Sequence, residues 1–288
     1  MLLTSSNSET PVPSLLMQFP KVVLTGLFSL LLLLLLLLLL LLAVPARVGA
    51  QVIAPEAMAA LPAAARQAYF QTAFERQAVQ LYAKLGLGET GLPLGVFREG
   101  LVGYYNLRGA SRRGAASPVL TLIDFSRSSQ QKRLWVINVD KAKVLFHTLV
   151  AHGKASGADV PLAFSNRGGS EMSSLGFYRT ASTTYTGKHG LSLKIMGLDP
   201  GFNTNAEHRA VVVHGAEYVC EDFVKAHGRL GRSQGCPALP VAETAAIVRA
   251  IQGGSVLYLH GPAGAGYRSR WLNTAGAAAA FAGTRFPG

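Results

Sequence analysis

From residue 119 onward the chain reads as short blocks dense in branched and aromatic side chains: VLTLIDF at 119–125, RLWVINV at 133–139 and KVLFHTLVAHG at 143–153. Such blocks predict strands, and Asp140-Lys141 between the second and third predicts a hairpin. Further strands are predicted at 192–196, 211–214 and 256–260, whereas VAETAAIVRAI at 241–251 has helical spacing. Earlier, residues 62–86 predict one helix: Pro62 suits a first turn, Gly86 a stop, and Tyr69, Ala73, Gln77, Gln80 and Leu81 follow one partly apolar face. Gly and Pro punctuate 87–101, which reads as a linker, and RGASRRG at 108–114 reads as a solvated loop. The Ala/Gly-rich tail 273–288 is expected to be flexible. Together these elements predict a mainly β domain over 116–272, preceded by a helical extension and linker at 51–115.

One segment differs in kind. Residues 22–44 carry no charge and include thirteen consecutive leucines from Leu30 to Leu42, long enough to cross the roughly 30 Å hydrocarbon layer of a bilayer. Lys21 precedes the run, Arg47 follows it, and Val48-Gly49-Ala50 offers small residues for cleavage before Gln51. Residues 1–50 are therefore read as a signal peptide or a membrane anchor. The residues before Lys21 are nearly uncharged, and a start at Met17 would open a shorter, basic leader. The two cysteines, Cys220 and Cys236, lie far from this region, which excludes a lipid anchor on a new N-terminal cysteine. Because the 49% hydrophobic content owes much to the leucine run, it does not indicate a polytopic membrane protein.

The chain carries a net charge of +12; without Lys21, Arg47 and Glu9 of the leader, 25 basic and 14 acidic side chains leave +11. An exported basic protein suits an anionic surface, and export makes that surface the cell envelope rather than nucleic acid.

Cys236 lies in the turn-rich stretch GRSQGCP at 231–237, where a glycine allows backbone amides to converge. The amides of Gln234, Gly235 and Cys236 are candidates for an oxyanion hole. His214, at the end of the apolar run Val211-Val212-Val213 and followed by Gly215, is the candidate base, since a strand end holds a ring rigidly. It would draw the thiol proton and return it to a leaving amine. On composition alone a structural Cys220–Cys236 disulfide stays open, because exported proteins commonly pair their cysteines. Metal binding fits the wide spacing of these residues poorly.

His214-Gly215 followed by Ser233-Gln234-Gly235-Cys236 resembles the signature of the L,D-transpeptidase family, with Gln234 where a histidine usually stands. GRSQGCPA is similar to the Gly-Arg-Ser-x-Gly-Cys-Pro-Ala motif of its murein branch. IDFSRSSQQKRLWVIN, LVAHGKASG, FSNRGGSEMSSLGFYRT and YTGKHGLSLKIMGLD extend the likeness over 120–259. The resemblance implies a β-sandwich or barrel-like catalytic domain without cofactor or metal, acting on peptidoglycan peptide stems in the periplasm or envelope. It further implies Cys236 as nucleophile, His214 as base, Gly215 as the carbonyl that orients the base, Gln234 to Cys236 as oxyanion donors and Ser233 as support of the loop. Pro237-Ala238-Leu239 departs from the arginine or polar residues that commonly follow the cysteine, which bears on substrate contacts.

His152, Ser174, Tyr178 and His189 would line a substrate groove by the same likeness, and Arg232 could meet a stem carboxylate through its planar fork. Cys220 reads as a spare buried thiol. Three activities remain open: cysteine acyl transfer to an amine, the same chemistry with water as acceptor, and non-catalytic binding to the wall by an anchored protein.

Overall fold

In the computed structural model, residues 55–110 and 117–285 are described. The leucine run, the cleavage region before Gln51 and most of the basic loop at 108–114 lie outside the described residues. Among the described residues no helix is long and apolar enough to cross a membrane.

Among the described residues nine strands form one sheet: β1 (Val119–Asp124), β2 (Leu134–Asn138), β3 (Lys143–Thr148), β4 (Gly176–Thr180), β5 (Tyr185–Gly187), β6 (Gly190–Gly197), β7 (Val212–Gly215), β8 (Ala238–Leu239) and β9 (Val256–His260). Their order is β3-β2-β1-β9-β4-β6-β7-β8, with β5 paired to β6. Most neighbours are antiparallel, but β1 runs parallel to β9 and β7 parallel to β8. The path almost closes on itself. The chain leaving β3 turns back along β8, where Ala151 bridges Ala238 and Gly153 bridges Ser233, giving a nearly closed barrel.

Strand alternation divides the apolar side chains between two cores. Leu120 and Leu122 of β1, Trp135 and Ile137 of β2, Phe177 of β4 and Tyr258 of β9 face a helical layer. Their sequence neighbours, Ile123, Leu134, Val136, Tyr178, Leu257 and Leu259, face the other way into the barrel. Both faces are covered, so β1 and β2 are buried at every position. The hairpin between β2 and β3 turns at Asp140-Lys141, with Lys141 N donating to Asn138 Oδ1 at 2.8 Å.

The helical layer is larger than the sequence pattern indicates. Beyond α1 (Pro55–Ala60), α2 (Ala63–Lys84) forms as predicted, but it buries Phe74, Ala78 and Leu81 and leaves Gln80 exposed, so the inward stripe is rotated from the predicted one. Much of the predicted linker at 87–101 belongs to a second helix, α3 (Leu94–Gly109), which lies on the sheet. Any side chain at Gly103 would collide with the ring of Phe177. That glycine is a point of close approach between helix and strand, and its helical cost of about 1 kcal/mol is offset by the packing it allows.

A short helix, α4 (Glu221–His227), precedes the Cys236 loop, and α5 (Val241–Ile251) matches the predicted span, burying Ile247, Val248 and Ile251 against the barrel. The tail expected to be flexible is instead α6 (Thr274–Arg285), packed on α2 and α3. Its Phe281 meets Phe74 and Tyr105 edge-on at centroid distances of 6.0 and 5.5 Å, and this contact supplies the order that an Ala/Gly sequence lacks by itself. Phe281→Ala is expected to cost about 3–5 kcal/mol in a denaturant melt; a loss below about 0.5 kcal/mol would mean that α6 does not hold the core.

Candidate active site

Barrel closure positions the loop that carries Cys236. Ser233 N donates to His152 O at 2.9 Å, Lys154 N donates to Ser233 O at 2.8 Å, and Ala151 N donates to Ala238 O at 2.9 Å. Ser233 thus has its backbone in a β-bridge while its hydroxyl spans the turn. Its Oγ donates to Cys236 O at 2.6 Å and accepts from Gly235 N at 3.0 Å. Gly235 has φ +120°, and a Cβ there would lie 2.7 Å from Met172 O, so the turn requires glycine on both counts.

The parallel register pairs His214 with Ala238. Continued two residues back, it sets Cys236 beside Val212, whose N donates to Cys236 Sγ at 3.4 Å. His214 lies two positions beyond Val212 on β7, so the Cys236 turn is tied to the strand that carries the imidazole.

His214 is 2% exposed, and its Nδ1 lies 2.9 Å from Gly215 O. That carbonyl accepts only, so Nδ1 carries the hydrogen and Nε2 keeps its lone pair. Burial holds the His214 pKa below the usual imidazole range; the Gly215 carbonyl opposes this, and His189 and Lys188 add to it. Burial likewise pushes the Cys236 thiol up, against the opposing influence of the Val212 amide and the charges of Arg209 and Lys188. Both shifts favour the uncharged forms, a thiol and a neutral imidazole.

The amides of Gln234 and Cys236 donate to no acceptor among the described residues. The expectation for Gly235 is corrected, because its amide is engaged by Ser233 Oγ.

Other expected residues are distributed differently. His189 sits at the tip of the β5–β6 hairpin, exposed, with its ring stacked on His214 at 4.4 Å and 25°. Tyr178 does not line a groove: it is fully buried and its hydroxyl donates to Ser174 O at 2.8 Å. His152 is also fully buried, with Nδ1 2.8 Å from Arg133 Nη2, and burial together with the Arg133 charge lowers its pKa to about 4. It remains neutral and holds the bridge to Ser233 through its backbone. Arg232 turns its fork inward, donating to Gly157 O at 2.9 Å and Lys154 O at 3.3 Å, rather than outward to a ligand. Cys220 is not buried; it is an exposed free thiol whose Sγ caps α4 by accepting from Phe223 N at 3.4 Å. Both cysteines are free, which removes the disulfide alternative.

Arg209 is the residue that sequence reasoning missed. Its guanidinium donates to Ser165 O and Met172 O, each at 2.6 Å, and to Ser174 Oγ at 3.2 Å, tying segment 165–174 beside the Cys236 loop. No spacing in AEHRAVVVHG marks this arginine, because all these partners lie 35 or more positions away.

A nearly closed, mainly β barrel with a cysteine turn leading into β8 and a buried histidine on the paired strand β7 describes the class of fold and site. The sequence profile of the L,D-transpeptidase catalytic domain matches residues 89–260, more than half of the chain, and the chain belongs to that family. Among solved structures it is similar to an L,D-transpeptidase from Mycobacterium smegmatis, with 15% identity over 50% of this chain and 58% of that one and a TM-score of 0.32. It is also similar to the helical cell shape determining protein Pgp2 from Campylobacter jejuni, with 13% identity over 64% of this chain and 63% of that one and a TM-score of 0.35. The chain thus spans less than two thirds of the length of either. Comparison with curated proteins gives no match.

The raised Cys236 pKa sets the pH at which its thiolate appears. In a Cys220→Ser background, alkylation by iodoacetamide is expected to reach half its maximal rate above the ordinary thiol value of about pH 8.5. A midpoint about 2 pH units below that of a free thiol would instead indicate a preformed thiolate–imidazolium pair.

Proposed function

We propose that this chain is a peptidoglycan L,D-transpeptidase that transfers an acyl group from a tetrapeptide stem, through a thioester on Cys236, to an amine of a neighbouring stem. What supports the reading most is one conjunction: Cys236 on a glycine-shaped turn with two undonated amides, beside a buried histidine whose Nδ1 is fixed on Gly215 O at 2.9 Å. The net charge of +12 suits an anionic wall, and the charge-free leucine run suits export to it.

The resting pair is uncharged, so proton transfer accompanies attack. His214 Nε2 takes the Cys236 proton as Sγ bonds to the carbonyl carbon of the third stem residue. The oxyanion that forms is met by the amides of Gln234 and Cys236. The C–N bond to the terminal D-alanine then breaks, and His214 returns the proton to the departing amine, leaving a thioester and neutral imidazole. The acceptor amine attacks the thioester, gives its proton to His214, and expels the sulfur, which regains that proton as a thiol. The new amide joins the third residues of two stems.

Acylation by a carbapenem, read by intact mass in single turnover, tests these roles. Wild type and Cys220→Ser should each gain one adduct and Cys236→Ala none. His214→Ala should slow acylation by about 10²- to 10⁴-fold, the usual contribution of a general base. Gln234→Ala keeps its backbone N–H and should stay within roughly 10-fold of wild type. An adduct on Cys236→Ala, or equal damage from Gln234→Ala and His214→Ala in folded protein, would contradict this division of roles.

A further inference from the structure

The hairpin over His214 is built to put one side chain in a particular place. Gly187 pairs with Gly190, so Lys188 and His189 form a two-residue turn. Gly190, at φ +73°, accommodates the reversal. β6 pairs Ser192 with His214 on β7. The tip therefore folds back across the strand that neighbours the histidine, and the His189 ring lies nearly parallel to that of His214, 4.4 Å away.

Among the described residues, the one hydrogen bond on the His214 ring is from its Nδ1 to Gly215 O. A single in-plane bond fixes one edge of the ring but does not by itself define the tilt of its plane. A flat group stacked on the face defines it. The same contact excludes water from the ring and places a second basic group against it, so a proton on either imidazole opposes a proton on the other.

We propose that His189 is a positioning residue for His214, holding the plane of its ring and keeping it neutral so that Nε2 is ready to accept the thiol proton. This rests on the proposed role of His214 as base. The other charged or titratable groups facing the pair are few. Lys188 at the hairpin tip acts on His214 in the same sense as His189, whereas Arg209 acts on Cys236, and the Cys236 charge is felt by Tyr218. Glu243 of α5 is turned away, accepting from Thr148 Oγ1 at 2.7 Å.

Removing His189 removes both the cover and the opposing charge, and both losses raise the His214 pKa toward its ordinary value. The acid limb of Cys236 acylation should then move to higher pH. The test compares wild type, His189→Ala and His189→Phe by NMR titration of the His214 ring and by the pH profile of carbapenem acylation, with a thermal melt to confirm folding. His189→Ala should raise the His214 midpoint and lower the acylation plateau by roughly 10-fold through loss of orientation. His189→Phe, flat but uncharged, should restore most of the plateau and leave the midpoint between the other two. An unchanged His214 midpoint and plateau in folded His189→Ala would overturn the proposal. The titration is read without an acyl donor, so failure of wild type to acylate would count against the enzyme activity while the midpoint still decides the role of His189.

Discussion

Closure of the barrel is the constraint on which the rest depends. Two bridges, Ala151 to Ala238 and Gly153 to Ser233, join the chain leaving β3 to the strand at the far end of the sheet. Each backbone bond in such a seam contributes only about 0.5–1.5 kcal/mol net, yet leaving its groups buried and unpaired would cost about 1–3 kcal/mol each. The seam is therefore held by the penalty for opening it. It runs through Ser233, so the residue that closes the barrel also shapes the turn of Cys236. His152 and Arg133 belong to this seam as well: the guanidinium reaches Val150 O and His152 Nδ1 at 3.0 and 2.8 Å, bracing the strand from inside.

Burial sets the chemistry that the seam presents. Removing water from Cys236 and His214 penalises charge on both, pushing the thiol up and the imidazole down. Arg209 and Lys188 act the other way on the sulfur by favouring the thiolate. On the proposed mechanism, negative charge develops only as the carbonyl arrives, at the point where the amides of Gln234 and Cys236 receive it.

The strands and α5 were legible in the sequence because local pattern and tertiary environment agree there. Blocks dense in branched and aromatic residues marked β1 and β2, a further strand was expected at β9, and VAETAAIVRAI marked α5; all four form where expected. The helix at Leu94–Gly109 was hidden because its glycines look like punctuation, and the reason for Gly103 is the Phe177 ring on a strand more than seventy residues away. The helix at Thr274–Arg285 was hidden because its order comes from Phe74 and Tyr105, distant in sequence. At the candidate site, the choice of Cys236, His214 and Ser233 comes from a compact motif and its resemblance. The engagement of the Gly235 amide, the burial of Tyr178 and His152, the inward turn of Arg232 and the role of Arg209 depend on contacts that no local spacing encodes.

Acyl transfer from a wall stem is the central claim, and turnover of a disaccharide-tetrapeptide tests it most directly. Incubation with the protein, followed by mass spectrometry of the muropeptides, should show release of D-alanine together with a dimer joined through third-position residues. The same incubation with Cys236→Ala should show neither. An unchanged tetrapeptide with wild-type protein, or equal turnover by Cys236→Ala, would contradict the account.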